Sequence, residues 1–208
     1  MKLSICRKAA AALLASAPVL SSLAVADMPT LPSRSNDFSF SHVQAGLETG
    51  DWENPRADLD SFFVDGAHAL DEHIFLRGGL AWFDGRSRGG GPGRVDVDGH
   101  RIYGGLGFNT PLEQDLDLVL SGDLVRVRAR FDNGSGTEMG FDLRGGVRYR
   151  ANERVELSGG AFFEKIDRSE FALYGEGIYQ LDAPVNAGAR LVLGDDMTTF
   201  GLLVRYDF

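Results

Sequence analysis

The chain has 208 residues, a single cysteine and a formal net charge of −9. Its length suits one domain, and the acidic balance excludes bulk affinity for nucleic acid. Past residue 26 no run approaches the ~20 apolar residues that a membrane-spanning helix requires, so a helical membrane protein is excluded as well.

Lys2, Arg7 and Lys8 form a positive start, Ala9 to Val19 is apolar, and Ala24-Val25-Ala26 is a small-residue cleavage site. Residues 1–26 are therefore expected to be a secretory signal peptide. Cys6 would leave with it, so no disulfide is expected in the oxidising compartment beyond. The segment also removes basic residues and no acids, which leaves the mature chain more acidic still. Residues 27–37, with Pro29, Pro32, Ser33 and Ser35, read as an irregular leader.

From Phe38 to Phe208 the pattern is that of one all-β domain. Ten strand-like segments follow, at 38–48, 59–69, 73–84, 97–110, 115–130, 138–150, 154–166, 170–181, 184–194 and 198–208. In the sixth, Phe141, Leu143, Val147 and Tyr149 oppose Asp142, Arg144, Gly146 and Arg148. In the tenth, Phe200, Leu202, Val204, Tyr206 and Phe208 oppose Thr199, Gly201, Leu203, Arg205 and Asp207. The second and eighth are ambiguous, because Phe62-Phe63-Val64 and Leu173-Tyr174 give both faces large residues.

Connections alternate in length. Those at 70–73, 111–114, 151–154 and 182–183 are short, whereas 49–58, 85–96 and 131–137 are longer and rich in Gly, Asn and Asp. Short turns on one rim and longer loops on the other is the arrangement of a barrel in an outer membrane. A soluble carrier would place the same apolar face inward. The signal peptide, the loop asymmetry and two aromatic levels favour the membrane orientation. Those levels are Trp82, Phe163, Phe171 and Phe200 at one interface, and Phe108, Tyr149, Tyr179, Tyr206 and Phe208 at the other. The expected fold is an antiparallel up-and-down transmembrane β-barrel of ten strands, with eight as the alternative. The expected location is the bacterial outer membrane.

The terminal Leu202-x-Val204-x-Tyr206-x-Phe208 resembles the closing strand of bacterial outer-membrane β-barrels. The mature chain as a whole resembles small barrels of the OmpA-like and OmpX/Ail groups. The resemblance implies that Leu202, Val204, Tyr206 and Phe208 are read by the barrel-assembly machinery after periplasmic chaperones deliver the chain. Those groups have eight strands, so their structural and adhesive roles transfer only in outline.

The polar face carries both signs of charge. Arg77, Arg101, Arg144, Arg148, Arg190 and Arg205 point inward in this register, as do Glu48, Asp117, Asp123, Asp142, Glu156, Glu164, Glu176 and Asp207. They read either as an ion-selective pore or as a salt-bridged plug. The balance of signs favours the plug, since a selective pore carries a dominant sign. Arg126, Arg128 and Arg130 either face outward, where with Arg86, Arg88 and Arg94 they would meet lipopolysaccharide phosphates, or face inward after a one-residue slip near Gly122. Asp96, Asp98, His100, Asp195 and Asp196 resemble the Asp/His set of ten-stranded omptin proteases, but solvated loop charge is the simpler reading. No metal or cofactor site is expected. Asp132 to Glu138 lacks a calcium-ligand series, and His42, His68 and His73 lack metal spacing. The functional expectation is a non-enzymatic barrel serving envelope structure or surface interaction with an unknown extracellular ligand. A narrow passive channel and a rim-site hydrolase are the alternatives.

Overall fold

A computed structural model of the chain describes residues 38–53, 56–87, 96–131 and 134–208. The expected signal peptide and leader, Arg88 and Arg94 lie outside these residues. Ten strands are present: β1 (His42–Glu53), β2 (Arg56–Ala69), β3 (Ile74–Ser87), β4 (Asp96–Glu113), β5 (Leu116–Phe131), β6 (Gly134–Asn152), β7 (Val155–Lys165), β8 (Ser169–Asp182), β9 (Val185–Gly194) and β10 (Met197–Asp207). Each pairs antiparallel with its chain neighbours, and β1 closes on β10 from His42↔Asp207 to Trp52↔Met197. Closure leaves no strand edge unpaired. No helix occurs among the described residues.

Two expectations about boundaries are corrected. Residues 38–41, read as the start of the first strand, precede the ladder. Phe38 and Phe40 are buried, and both cluster with the inward-facing Phe75. Ala67, Ala69 and Val119 pack around them. The described residues of the expected loops 49–58 and 131–137 are also strand, whereas most of 85–96 lies outside the described residues. The ladder continues from Thr49↔Asp60 to Glu53↔Arg56, and again from Arg128↔Thr137 to Phe131↔Gly134. Gly, Asn and Asp are poor strand residues in isolation, but a neighbouring strand offers each backbone group a partner. The near rim holds the turns 70–73, 114–115, 153–154 and 183–184. The far rim holds the described connections 166–168 and 195–196.

The pleat sends alternate side chains to opposite walls. Outward lie large apolar groups that remain exposed, among them Leu47, Leu76, Leu106, Leu124, Leu143, Leu173, Leu202 and Val204. Inward lie buried charges and polar groups, including Asp117, Asp123, Asp142, Arg148, Glu164, Asn186 and Arg205. An apolar outer wall around a polar interior is the distribution of a transmembrane barrel and the reverse of a soluble one. Aromatic groups mark both ends of the apolar wall. Trp82 stacks on Phe62 at 5.8 Å, and Phe208 stacks on His68 at 6.2 Å.

Candidate functional site

The interior is tied together by guanidinium groups that reach between strands. Arg148 on β6 and Glu156 on β7 are diagonal neighbours, since Arg148 stands opposite Ser158 and Glu156 opposite Arg150. The pair is bidentate: Nε donates to Glu156 Oε1 at 2.6 Å and Nη2 to Oε2 at 2.8 Å. Arg148 Nη1 donates to the Ser39 carbonyl at 2.8 Å. Its guanidinium carbon lies 4.9 Å from the centroid of Phe38 and 4.8 Å from that of Phe40. Arg205 on β10 reinforces the same point. It reaches Glu156 at 3.1 Å, Asp207 at 2.7 Å and the Ser39 carbonyl at 3.3 Å. Asn186 donates to the remaining Asp207 oxygen at 2.6 Å. Segment 38–41 is thus held inside the near rim by two buried arginines.

Further along the axis, Arg190 on β9 meets three carboxylates: Glu176 at 2.8 Å, Glu48 at 3.5 Å and Asp65 at 3.7 Å. Its guanidinium lies 4.8 Å from the Phe63 ring centroid. Arg144 makes paired 3.0 Å bonds to Asp142, two residues back on its own strand. Arg101 on β4 spans the interior to Glu164 on β7 and lies 3.6 Å from Asp142. Arg77 bonds Ser121 at 2.9 Å, lies 3.5 Å from Asp123 and faces the Tyr103 ring at 5.4 Å. The ladder sets Asp142 opposite Glu164 and Arg144 opposite Phe162, with no arginine facing either carboxylate. Instead Asp142 takes Arg144, and Arg101 reaches Glu164 from three strands away. Arg77, Arg101, Arg144, Arg148, Arg190 and Arg205 all have carboxylate partners. Ion pairing of this completeness is what makes the loss of hydration bearable in an interior of low dielectric.

Side chains fill much of the interior. Asp117 and Asp142 have no exposed surface. Phe63, Phe75, Phe162, Ile178 and Leu203 add buried apolar volume between the ion pairs. Glycine makes room where a ring must lie flat on the wall, as at Gly107, where any side chain would collide with the ring of Phe75. A polar cleft of about 220 Å³ remains at the near rim, lined in part by Ser39, Arg150, Glu156, Gln180, Asn186 and Asp207.

The far-rim charges sit on the other wall. The β4–β5 ladder runs without a shift from Val97↔Phe131 to Pro111↔Asp117, so Gly122 carries no bulge. Arg126, Arg128 and Arg130 accordingly face outward with Leu120 and Leu124, and all three are exposed. Inward alternates on that strand are Val125, Val127 and Ala129. Arg130 pairs with Asp98 at 3.7 Å, and Arg86 on β3 stands opposite Asp96. Asp96, Asp98 and His100 share the outward face of β4. Asp195 and Asp196 join β9 to β10, at least four strands away around the barrel. The Asp/His set is therefore not brought together. Among the described residues no cluster of His, Cys, Asp and Glu could hold a metal ion.

No protein-family model matches the chain. No curated protein matches it in sequence. Solved structures do match in fold. The translocator domain of the autotransporter NalP from Neisseria meningitidis is 14% identical, with a TM-score of 0.51, over 86% of this chain and 91% of that one. The KdgM porin, solved in complex with disordered oligogalacturonate, is 12% identical, with a TM-score of 0.44, over 80% and 99%. An outer membrane channel from Pseudomonas putida F1 is 10% identical, with a TM-score of 0.46, over 86% and 100%. At such identities a likeness speaks to the fold and to nothing finer.

Three contributors to the interior escape a strand-by-strand reading. Asp65 lies on β2, where large residues on both faces hid the period, although Ser61 and Phe63 mark the same inward face. Tyr103 is an aromatic on the polar side of β4, unlike the interfacial rings. The Ser39 carbonyl carries no sequence signal at all, because any residue there would offer the same acceptor.

Proposed function

We propose that this chain is an outer-membrane β-barrel with a closed interior, working through its outer surface in envelope structure or surface interaction. The carrying observation is the clamp at the near rim. Arg148, between two phenylalanine rings and bidentate to Glu156, pins segment 38–41 across the lumen. The paired arginines above it leave no dominant charge for a permeant ion to follow. The separation of His100 from Asp195 and Asp196 supports a non-enzymatic role. The finer likeness to the OmpA-like and OmpX/Ail groups rests on the terminal aromatic motif, with ten strands in place of eight. That motif also supports delivery by periplasmic chaperones and insertion by the barrel-assembly machinery. A second reading, a narrow passive channel, draws on the polar cleft beside Ser39. Planar bilayers separate the two. The closed barrel gives no steady single-channel current, and steady conductance by the unmodified protein overturns it.

A further inference from the structure

The outward face of β5 changes character abruptly. From the near rim it reads Leu116, Leu118, Leu120, Gly122 and Leu124, then Arg126, Arg128 and Arg130. At ~3.4 Å per residue and a tilt of ~40°, Leu116 to Leu124 rises about 21 Å along the barrel axis. The apolar band of such a barrel is ~25 Å tall, which places Arg126 at its upper edge and Arg128 about 5 Å above. Arg126 is flanked in the ladder by Ile102 and Met139, with Leu124 below it. Leu124 and Met139 are each 72% exposed. Arg128 is flanked by His100 and Thr137. Arg130 is neutralised by Asp98, whereas Arg126 and Arg128 have no carboxylate partner among the described residues.

We infer that Arg126 and Arg128, with His100 and Thr137 beside them, bind the phosphate of an acylated lipid in the outer leaflet, the lipid A part of lipopolysaccharide. The inference rests on the outer-membrane reading above. Guanidinium groups suit phosphate through paired, charge-assisted hydrogen bonds. Successive same-face arginines stand ~6.8 Å apart, so they can grip separate oxygens or neighbouring headgroups. The exposed apolar surface of Ile102 and Met139 beside Arg126, and of Leu124 below it, is what selects a lipid over a free anion. Acyl chains lie against that wall while the phosphate meets the arginines. A free phosphate uses only half of the surface.

The test uses the full mature protein, folded in detergent, with bound lipid counted by native mass spectrometry. The probes are bis-phosphorylated lipid A, its dephosphorylated counterpart and inorganic phosphate. Arg126→Gln/Arg128→Gln is expected to bind bis-phosphorylated lipid A roughly ten- to thirtyfold more weakly than the parent. Arg126→Lys/Arg128→Lys recovers most of that loss, and dephosphorylated lipid A binds parent and Gln variant alike. Both variants change only outward-facing side chains, and a folded, heat-modifiable band on gels verifies each barrel. Equal binding of phosphorylated lipid by parent and Gln variant overturns the inference, as does full displacement by inorganic phosphate. A parent protein that stays water-soluble and does not insert into bilayers defeats the outer-membrane reading instead.

Discussion

Arg148→Ala removes the centre of the near-rim clamp. It deletes two bonds to Glu156, one to the Ser39 carbonyl and the contacts with Phe38 and Phe40. Breaking a buried ion pair by removing one partner costs about 3–5 kcal/mol. Arg205 remains 3.1 Å from Glu156 and compensates part of its charge, so the lower end, about 3 kcal/mol, applies. Two partly buried ring contacts add about 1 kcal/mol together. The expected loss is about 4 kcal/mol, a shift of roughly 2 M in the urea midpoint at a slope of about 2 kcal/mol/M. Urea unfolding of the barrel in lipid vesicles, followed by tryptophan fluorescence, measures it. A double-mutant cycle with Glu156→Gln isolates the pair, with an expected coupling of about 2 kcal/mol. The same substitution loosens segment 38–41, left with the longer Arg205 bond to Ser39, and opens space at the near rim, so ion conductance rises from a level of little or none. A stability loss under about 1 kcal/mol, with unchanged conductance, would refute the clamp.

Three further outcomes follow from the wall itself. Gly105 points inward, where a side chain would collide with the Gly122 carbonyl and with Asp123, while its neighbour Gly104 faces outward with its nearest atom at 3.8 Å. Gly105→Leu is therefore expected to lose at least 1–3 kcal/mol or fail to fold, and Gly104→Leu to fold normally, as refolding yields would show. Trp82, exposed on the outer wall, should be quenched by brominated lipid in a Trp52→Phe background, and an unquenched Trp82 would mean the wall does not face acyl chains. Deleting Phe208 should lower surface yield in cells more than it lowers the stability of the refolded protein, because by resemblance the residue is read during assembly. Normal surface yield of the deletion variant would count against that role.

Period two in the sequence was enough to sort most residues between walls. A strand's pleat leaves no other choice once one face must be apolar, so Arg77, Arg101, Arg144, Arg148, Arg190 and Arg205 could be placed on one side before any fold was known. Strand number was legible for the same reason, with turn residues separating ten alternating runs. Alternation at 38–41 misled, because it records which side chains seek burial and not whether the backbone has a ladder partner. His42 is the first residue opposite β10, so Phe38 and Phe40 bury their rings inside the barrel instead. The orientation of Arg126, Arg128 and Arg130 needed the register, since a single bulge at Gly122 would have reversed all three. Partner choice also lay beyond the sequence. Arg101 finds Glu164, and Arg190 finds Glu48 and Asp65, only because closure curves distant strands toward one axis. Pairing across a lumen depends on its width and on the height of each row, and these are properties of the closed sheet that no single strand carries.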